Sequence, residues 1–265
     1  MISVNGIILV LSCNKHLNTR LKKFKLNKDN YKNWKVIYVI GDLFLDRDYK
    51  LEGDMLIVKC EDSYIHLLKK LVLSLKYIYE IFDIKEGVLR SGDDLTFNED
   101  FLETFLKFPK KINNEDIDFL GKSPTGKSLL SKDISDNDIK ISRKDYFMIE
   151  YYKNHPEDYD NPLHNLKNID ISKYIVRPHI PIGPAGVLYY ISNKACKILI
   201  NHLDNIKYNI FHYDEYSNSY PYTIEDCAVS FILYYNKISF INYPNMFNNY
   251  IDNNDYIAIH TNYLK

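Results

Sequence analysis

No apolar run in this chain approaches the roughly 20 residues that a bilayer crossing needs. Ile7 to Leu11 is too short for a secretory signal and has neither a basic leader nor a cleavage site. These absences predict a soluble, cytoplasmic protein without a membrane span. Charge of one sign is scarce too: 34 Lys and Arg stand against 35 Asp and Glu, for a net charge of -1. Nothing draws the chain as a whole to a polyanion, so nucleic acid is not an expected partner. One basic gathering, Arg20, Lys22, Lys23, Lys25, Lys28 and Lys32 opposed only by Asp29, reads as a solvated face rather than a phosphate site. The four cysteines, Cys13, Cys60, Cys196 and Cys227, show no CxxC and no zinc spacing, which predicts buried free thiols. His155, His164, His179 and His202 have no metal-ligand spacing either, and there are no internal repeats.

What is present fits one enzyme-sized domain over 1–265. Hydrophobic residues make up 46% and charged residues 26%, ordinary globular usage. An excess of Ile, Asn, Lys and Tyr (24 Tyr) points to an AT-rich genome. Gly6 to Leu11, Val36 to Ile40 and Met55 to Val58 are continuous β-branched or aliphatic runs, as expected of strands covered on both faces. Between Tyr64 and Phe82 apolar residues recur at three and four, one face of a long helix. Such alternation predicts an α/β fold with a mostly parallel central sheet flanked by helices. A helix follows Asn98 and stops before Pro109, Ile117 to Leu120 reads as a strand, and Val187 to Ile191 as another. Ser192 is placed to cap a helix to about Leu203, and Thr223 one to about Tyr235, before a last core segment, Lys237 to Asn242. The pattern dissolves between 122 and 176, which reads as an acceptor-side insertion of loops with a short helix at Tyr146 to Lys153.

The most informative stretch is Gly87 to Asn98, where Asp93 and Asp94 follow a short apolar strand. Open α/β sheets bind ligands at that edge, and acidic residues there can hold a divalent cation with its diphosphate. Read alone, the same residues also fit a solvated Gly-Asp turn.

Taken together, Leu51 to Val58, Glu61 to Tyr64 with Leu67 and Lys70, Arg90 to Asn98, Gly186 to Ser192 and Ile224 to Ser230 resemble, in order and spacing, the beta-1,3-glycosyltransferases, which include galactosyltransferases and Fringe. The resemblance runs from about Gly6 to Tyr243. It implies a GT-A-like nucleotide-sugar-binding fold and a metal-dependent, inverting glycosyltransferase. The implied donor is a UDP-sugar, the cofactor manganese or magnesium, and the acceptor a hydroxyl on a glycan or glycoprotein. Eukaryotic members of that family are typically Golgi-anchored, so the lack of an anchor and stem in this sequence suggests a bacterial or viral setting, or a trimmed form of a longer protein.

The family's tri-aspartate run falls on Gly92, Asp93 and Asp94, which makes Asp94 the metal ligand and turns Asp93 to the sugar or ribose. Gly92 departs from the pattern and leaves open a non-catalytic, carbohydrate-binding relative. The catalytic base falls on Asp226, with Glu225 beside it. A carboxylate within reach of an acceptor hydroxyl can deprotonate it. Thr223 to Asp226 also fits a capping box, in which the acid only satisfies a free amide. His260, after a short apolar run near the C-terminus, stands where many nucleotide-sugar transferases of this fold place a histidine that completes the metal shell, and an imidazole suits manganese better than magnesium; a lone histidine there also fits a structural or solvated role. Ser12, Cys13 and Asn14, after the first strand, fall against the nucleoside, with Arg20 nearby. Lys70 and Arg90 match basic positions of the signature; the alternative for either is an ion pair with a buried acid such as Asp62.

A rival signal is Gly121 to Ser128, a literal GxxxxGK[ST] match. A nucleotide phosphohydrolase needs a well-formed helix after that loop, and 129–138 is rich in cap and turn residues.

Overall fold

The computed structural model describes residues 1–24, 26, 31–135, 142–171, 176–203, 224–249 and 255–261. Lys25, Lys28, Asp29 and the Thr223 cap therefore lie outside the described residues. Five strands come first: β1 (Ile2–Leu11), β2 (Trp34–Gly41), β3 (Tyr49–Glu52), β4 (Met55–Val58) and β5 (Phe82–Ser91). With three later strands they form an eight-stranded sheet. Its order is Phe240–Asn242, Phe119–Gly121, Leu188–Ser192, β5, β1, β2, β4, β3.

The apolar run of β1 explains the layering. Ile7, Leu9 and Leu11 point into one core layer, and Ile8 and Val10 into the other, the period of two that a doubly covered strand requires. Helices Leu67–Ile81, Asn193–Asn201 and Glu225–Tyr235 cover the first face. Helix Glu99–Lys107, through Leu102 and Leu106, covers the second together with Phe24 and Trp34.

The sheet is mixed, not mostly parallel. β1 pairs in parallel with β2 and β5, and β2 with β4. Leu188–Ser192, however, runs antiparallel between β5 and Phe119–Gly121. β3 returns on β4 through the two-residue turn Gly53-Asp54, in which Gly53 has φ 61°. A two-residue connection can only make an antiparallel hairpin. Leu188–Ser192 is buried along its whole length, and a strand covered on both faces reads as a continuous apolar run whichever way it points.

Smaller corrections concern boundaries. The helix after Ser63 opens as a 3-10 turn at Tyr64–His66 and ends at Ile81, and Phe82 already belongs to β5. Ser192 does cap the next helix, its Oγ accepting from the Ala195 N–H at 3.2 Å. None of the four cysteines forms a disulfide, yet only Cys60 and Cys196 are buried; Cys13 and Cys227 are half-buried.

The 122–176 insertion has a core of its own. Asp145 caps helix Tyr146–Asn154 by accepting from the Met148 N–H at 3.1 Å. Met148 and Tyr152, one turn apart, pack with Leu166, Ile169 and Ile171 against Ile65, with Ile224 at the margin. The insertion thus sits over the start of the Leu67–Ile81 helix. Among the described residues, no helix is long and apolar enough to cross a membrane.

Candidate functional site

After β1 the chain moves outward to β2 and β4, then returns to β5 on the other side of β1. The carboxyl ends of β1 and β5 therefore flank a topological switch point, where the sheet opens a crevice for ligands. Ser12 leaves β1 there, and Asp93 and Asp94 leave β5.

Three donors hold Asp93. Ser12 Oγ donates to Oδ2 at 2.6 Å, His16 Nδ1 lies 2.9 Å from the same oxygen, and Arg20 donates to Oδ1 at 3.2 Å. Burial alone would raise the Asp93 carboxyl, but these bonds and the Arg20 charge hold it below the usual carboxylate range. The hydrogen bond to Asp93 pushes His16 up to about 9. A carboxylate so engaged is buried and braces the loop after β1, rather than lying open to a sugar. Arg20 departs from the solvated-face reading, because its side chain is only 15% exposed and is turned into the site.

Asp94 is different. Its side chain is 26% exposed, and its Oδ2 lies 3.0 Å from His260 Nε2. A small three-stranded sheet makes that meeting: Ala258–His260 pairs antiparallel with Leu95–Phe97, setting His260 opposite Leu95, and the Thr261 N–H donates to the Asp94 carbonyl at 2.8 Å. The bond to Asp94 raises the His260 imidazole. Arg20 stands 3.9 Å from the same carboxylate oxygen. Gly92 makes room here, since a Cβ on it would stand 2.8 Å from Asp94 Oδ1. The missing side chain at the first position of the acidic run thus lets the Asp94 carboxylate fold over the strand end.

A buried ion pair carries the floor of the site. Asp62 accepts from Lys70 Nζ at 2.7 Å, the Gly41 N–H at 2.7 Å and the Asn14 N–H at 2.6 Å. Lys70 also donates to the Ser12 carbonyl at 2.6 Å. Lys70 thus ties the loops after β1, β2 and β4 to one helix, while the Asn14 side chain is left exposed at the mouth.

Glu225 and Asp226 open helix Glu225–Tyr235 but have different company. Glu225 is buried against Arg90 Nη2 at 3.0 Å and accepts from the Tyr189 hydroxyl. Burial raises its carboxyl to about 7 despite Arg90. Arg90 donates to the Gly186 carbonyl as well, so it is a structural brace. Asp226 is half-buried and accepts from the Cys227 N–H at 2.7 Å. Burial raises it too. The chain passes close to it at Gly186, where a Cβ would stand 2.9 Å from Asp226 Oδ2. Among the described residues, Glu225 has an ion-pair partner and Asp226 has none.

Residues 121–128 do not build a phosphate cradle. Pro124 to Gly126 form a turn, Leu129 bridges to Phe240, and a 3-10 turn at Ser131–Asp133 stands where the helix would start. The Ser123 N–H donates to the Asn242 side chain at 2.8 Å, and Lys127 is exposed.

His16 is the site residue that sequence reasoning passed over. The available signal was its place between Ser12 and Arg20, in the loop after the first strand. Its bond to Asp93 has a consequence for stability. With a folded pKa near 9, against 6.5 for the free group, His16 contributes stability that is fully present below pH 6.5 and lost as the pH rises through 9. Melting curves of wild type and His16→Gln should differ most at or below pH 6.5 and converge above pH 9; a gap that does not change with pH would count against the pair.

No protein-family model matches the chain, and no curated protein matches it.

Proposed function

We propose that the chain is a metal-dependent, inverting glycosyltransferase of GT-A-like design. It moves a sugar from a UDP-linked donor to a hydroxyl on a glycan or glycoprotein. The observation that carries this reading is the meeting of Asp94 and His260, 166 positions apart in the chain, at the carboxyl edge of the sheet. Arg20 stands beside Asp94 there, and Ser12 and His16 hold the neighbouring Asp93.

The donor set fits a divalent cation. One carboxylate and one imidazole suit manganese over magnesium and leave positions for phosphate oxygens. No group of three or more His, Cys, Asp or Glu gathers among the described residues, so Asp94 and His260 would share the ion with the donor. When bound, it supplies charge neutralisation for the departing diphosphate.

The chain's own residues account for the rest. Arg20, beside both aspartates, adds positive charge where phosphate oxygens would lie. Ser12 and Asn14 border the nucleoside side. Asp226 takes the proton of the acceptor hydroxyl, whose oxygen attacks the anomeric carbon from the face opposite the diphosphate. The bond from that carbon to the phosphate oxygen breaks, its electron pair leaves with UDP, and configuration inverts.

Incubation with a panel of UDP-sugars, manganese and simple glycoside acceptors should release UDP, and chelation should stop it. Lys127→Ala should leave that release within a few-fold of wild type. Abolished turnover in Lys127→Ala, together with lost triphosphate binding, would instead promote the phosphohydrolase reading.

A further inference from the structure

Two exposed aromatic rings meet at a corner that the reaction above does not use. Tyr64, in the 3-10 turn after β4, is 39% exposed, and Phe147, on the capped helix of the insertion, is 55% exposed. Their ring centroids stand 6.2 Å apart at 73°. Tyr151 closes on Tyr64 from the other side, centroids 5.0 Å apart at 63°, and is itself backed by His155 at 4.2 Å. Met148 and Tyr152, on the adjoining face of the same helix, are buried in the insertion's core and anchor it there.

The corner borders the reacting groups: Ile65, next to Tyr64, belongs to the apolar cluster against which Ile224 packs, the residue just before Glu225 and Asp226. Tyr64 keeps part of its surface open to solvent. Burial first, and then the Asp226 carboxylate, push that phenol up to about 12, with Glu225 and Asp94 adding to the effect. The hydroxyl is therefore a neutral donor near neutral pH. It makes no hydrogen bond among the described residues.

We propose that Tyr64 and Phe147 are the stacking corner for the acceptor's sugar ring, an uncharged pyranose laid C–H face down with its hydroxyl edge toward Asp226. The inference rests on the transferase reading for the word acceptor. A purely apolar partner would cover the Tyr64 hydroxyl without offering it an acceptor, and an anionic one would meet Asp226 and Asp94. A pyranose has an apolar face for the rings and hydroxyls for the polar edge.

The test is saturation-transfer NMR with methyl β-galactopyranoside and methyl β-glucopyranoside, in UDP and magnesium. UDP binding is measured by calorimetry on the same samples. At least one glycoside should show transfer to its ring C–H protons. Phe147→Ala should weaken it about tenfold, and Tyr64→Phe should weaken it while keeping the ring. Phe108→Ala, exposed at the end of the helix that covers the other face of the sheet from helix Glu225–Tyr235, should change nothing. Melting temperature checks that each variant is folded. If neither glycoside binds, or binding survives Phe147→Ala undiminished, the corner is not a sugar platform, even where UDP still binds in an Asp94-dependent way. If UDP fails to bind, the transferase reading falls, and the two glycosides still decide whether the corner takes a sugar.

Discussion

Asp94→Ala is expected to abolish manganese-dependent binding of UDP with little change in melting temperature. The two halves of that expectation have separate causes. Asp94 follows β5, and its side chain is 26% exposed, outside both core layers. Substitutions at such positions usually cost no more than about 0.5 kcal/mol. The Thr261 bond is to the Asp94 backbone carbonyl and survives the change. Metal affinity, by contrast, would lose one of only two protein ligands. That loss should exceed the roughly 10–100-fold seen when a group behind a ligand is removed. His260→Ala should weaken UDP binding in the same metal-dependent way. Calorimetry with and without manganese checks both variants, and unchanged UDP affinity in Asp94→Ala would remove Asp94 from the site.

Asp226→Asn should collapse transfer by about 10²–10⁴-fold, the usual contribution of a general base. Asparagine keeps an oxygen for the Cys227 N–H and nearly the same volume beside Gly186. Whatever Asp226 contributes as a helix-start acceptor, typically about 1 kcal/mol, is thereby mostly retained. Donor affinity and melting temperature should barely move, so the variant separates base from cap. If transfer persists near the wild-type rate, Asp226 is a cap. Glu225 would be a poor replacement, because it is already engaged by Arg90 and Tyr189.

The parts of the fold legible in the sequence are those in which a local pattern encodes a local structure. The runs of β1, β2 and β4 and the three-and-four spacing after Tyr64 translate directly into covered strands and a helix. Strand direction has no such pattern. Leu188–Ser192 is apolar because helices and loops cover both its faces, and nothing in five buried residues says that it runs against β5. β3 escaped notice because its alternating exposure leaves it without an apolar run.

At the site, Asp93 and Asp94 stand out because a strand end and two acids are adjacent in sequence. Their different roles do not stand out, since these depend on Ser12, His16 and Arg20 arriving from another strand. Similarly, Arg90 and Lys70 look alike as basic residues near acids. Only the packed structure gives Lys70 to Asp62 and Arg90 to Glu225. His260 entered through resemblance rather than pattern, because no periodicity links it to a residue 166 positions earlier.

The central claim is that Asp94 and His260 hold a metal–nucleotide at the switch point between β1 and β5. Crystals grown with UDP and manganese, measured at the manganese absorption edge, test it most directly. The account predicts one anomalous peak bonded to Asp94 and His260, with diphosphate oxygens completing its shell and Arg20 alongside. An anomalous peak elsewhere, or nucleotide bound at residues 121–128 with the Asp94–His260 contact undisturbed, would contradict it.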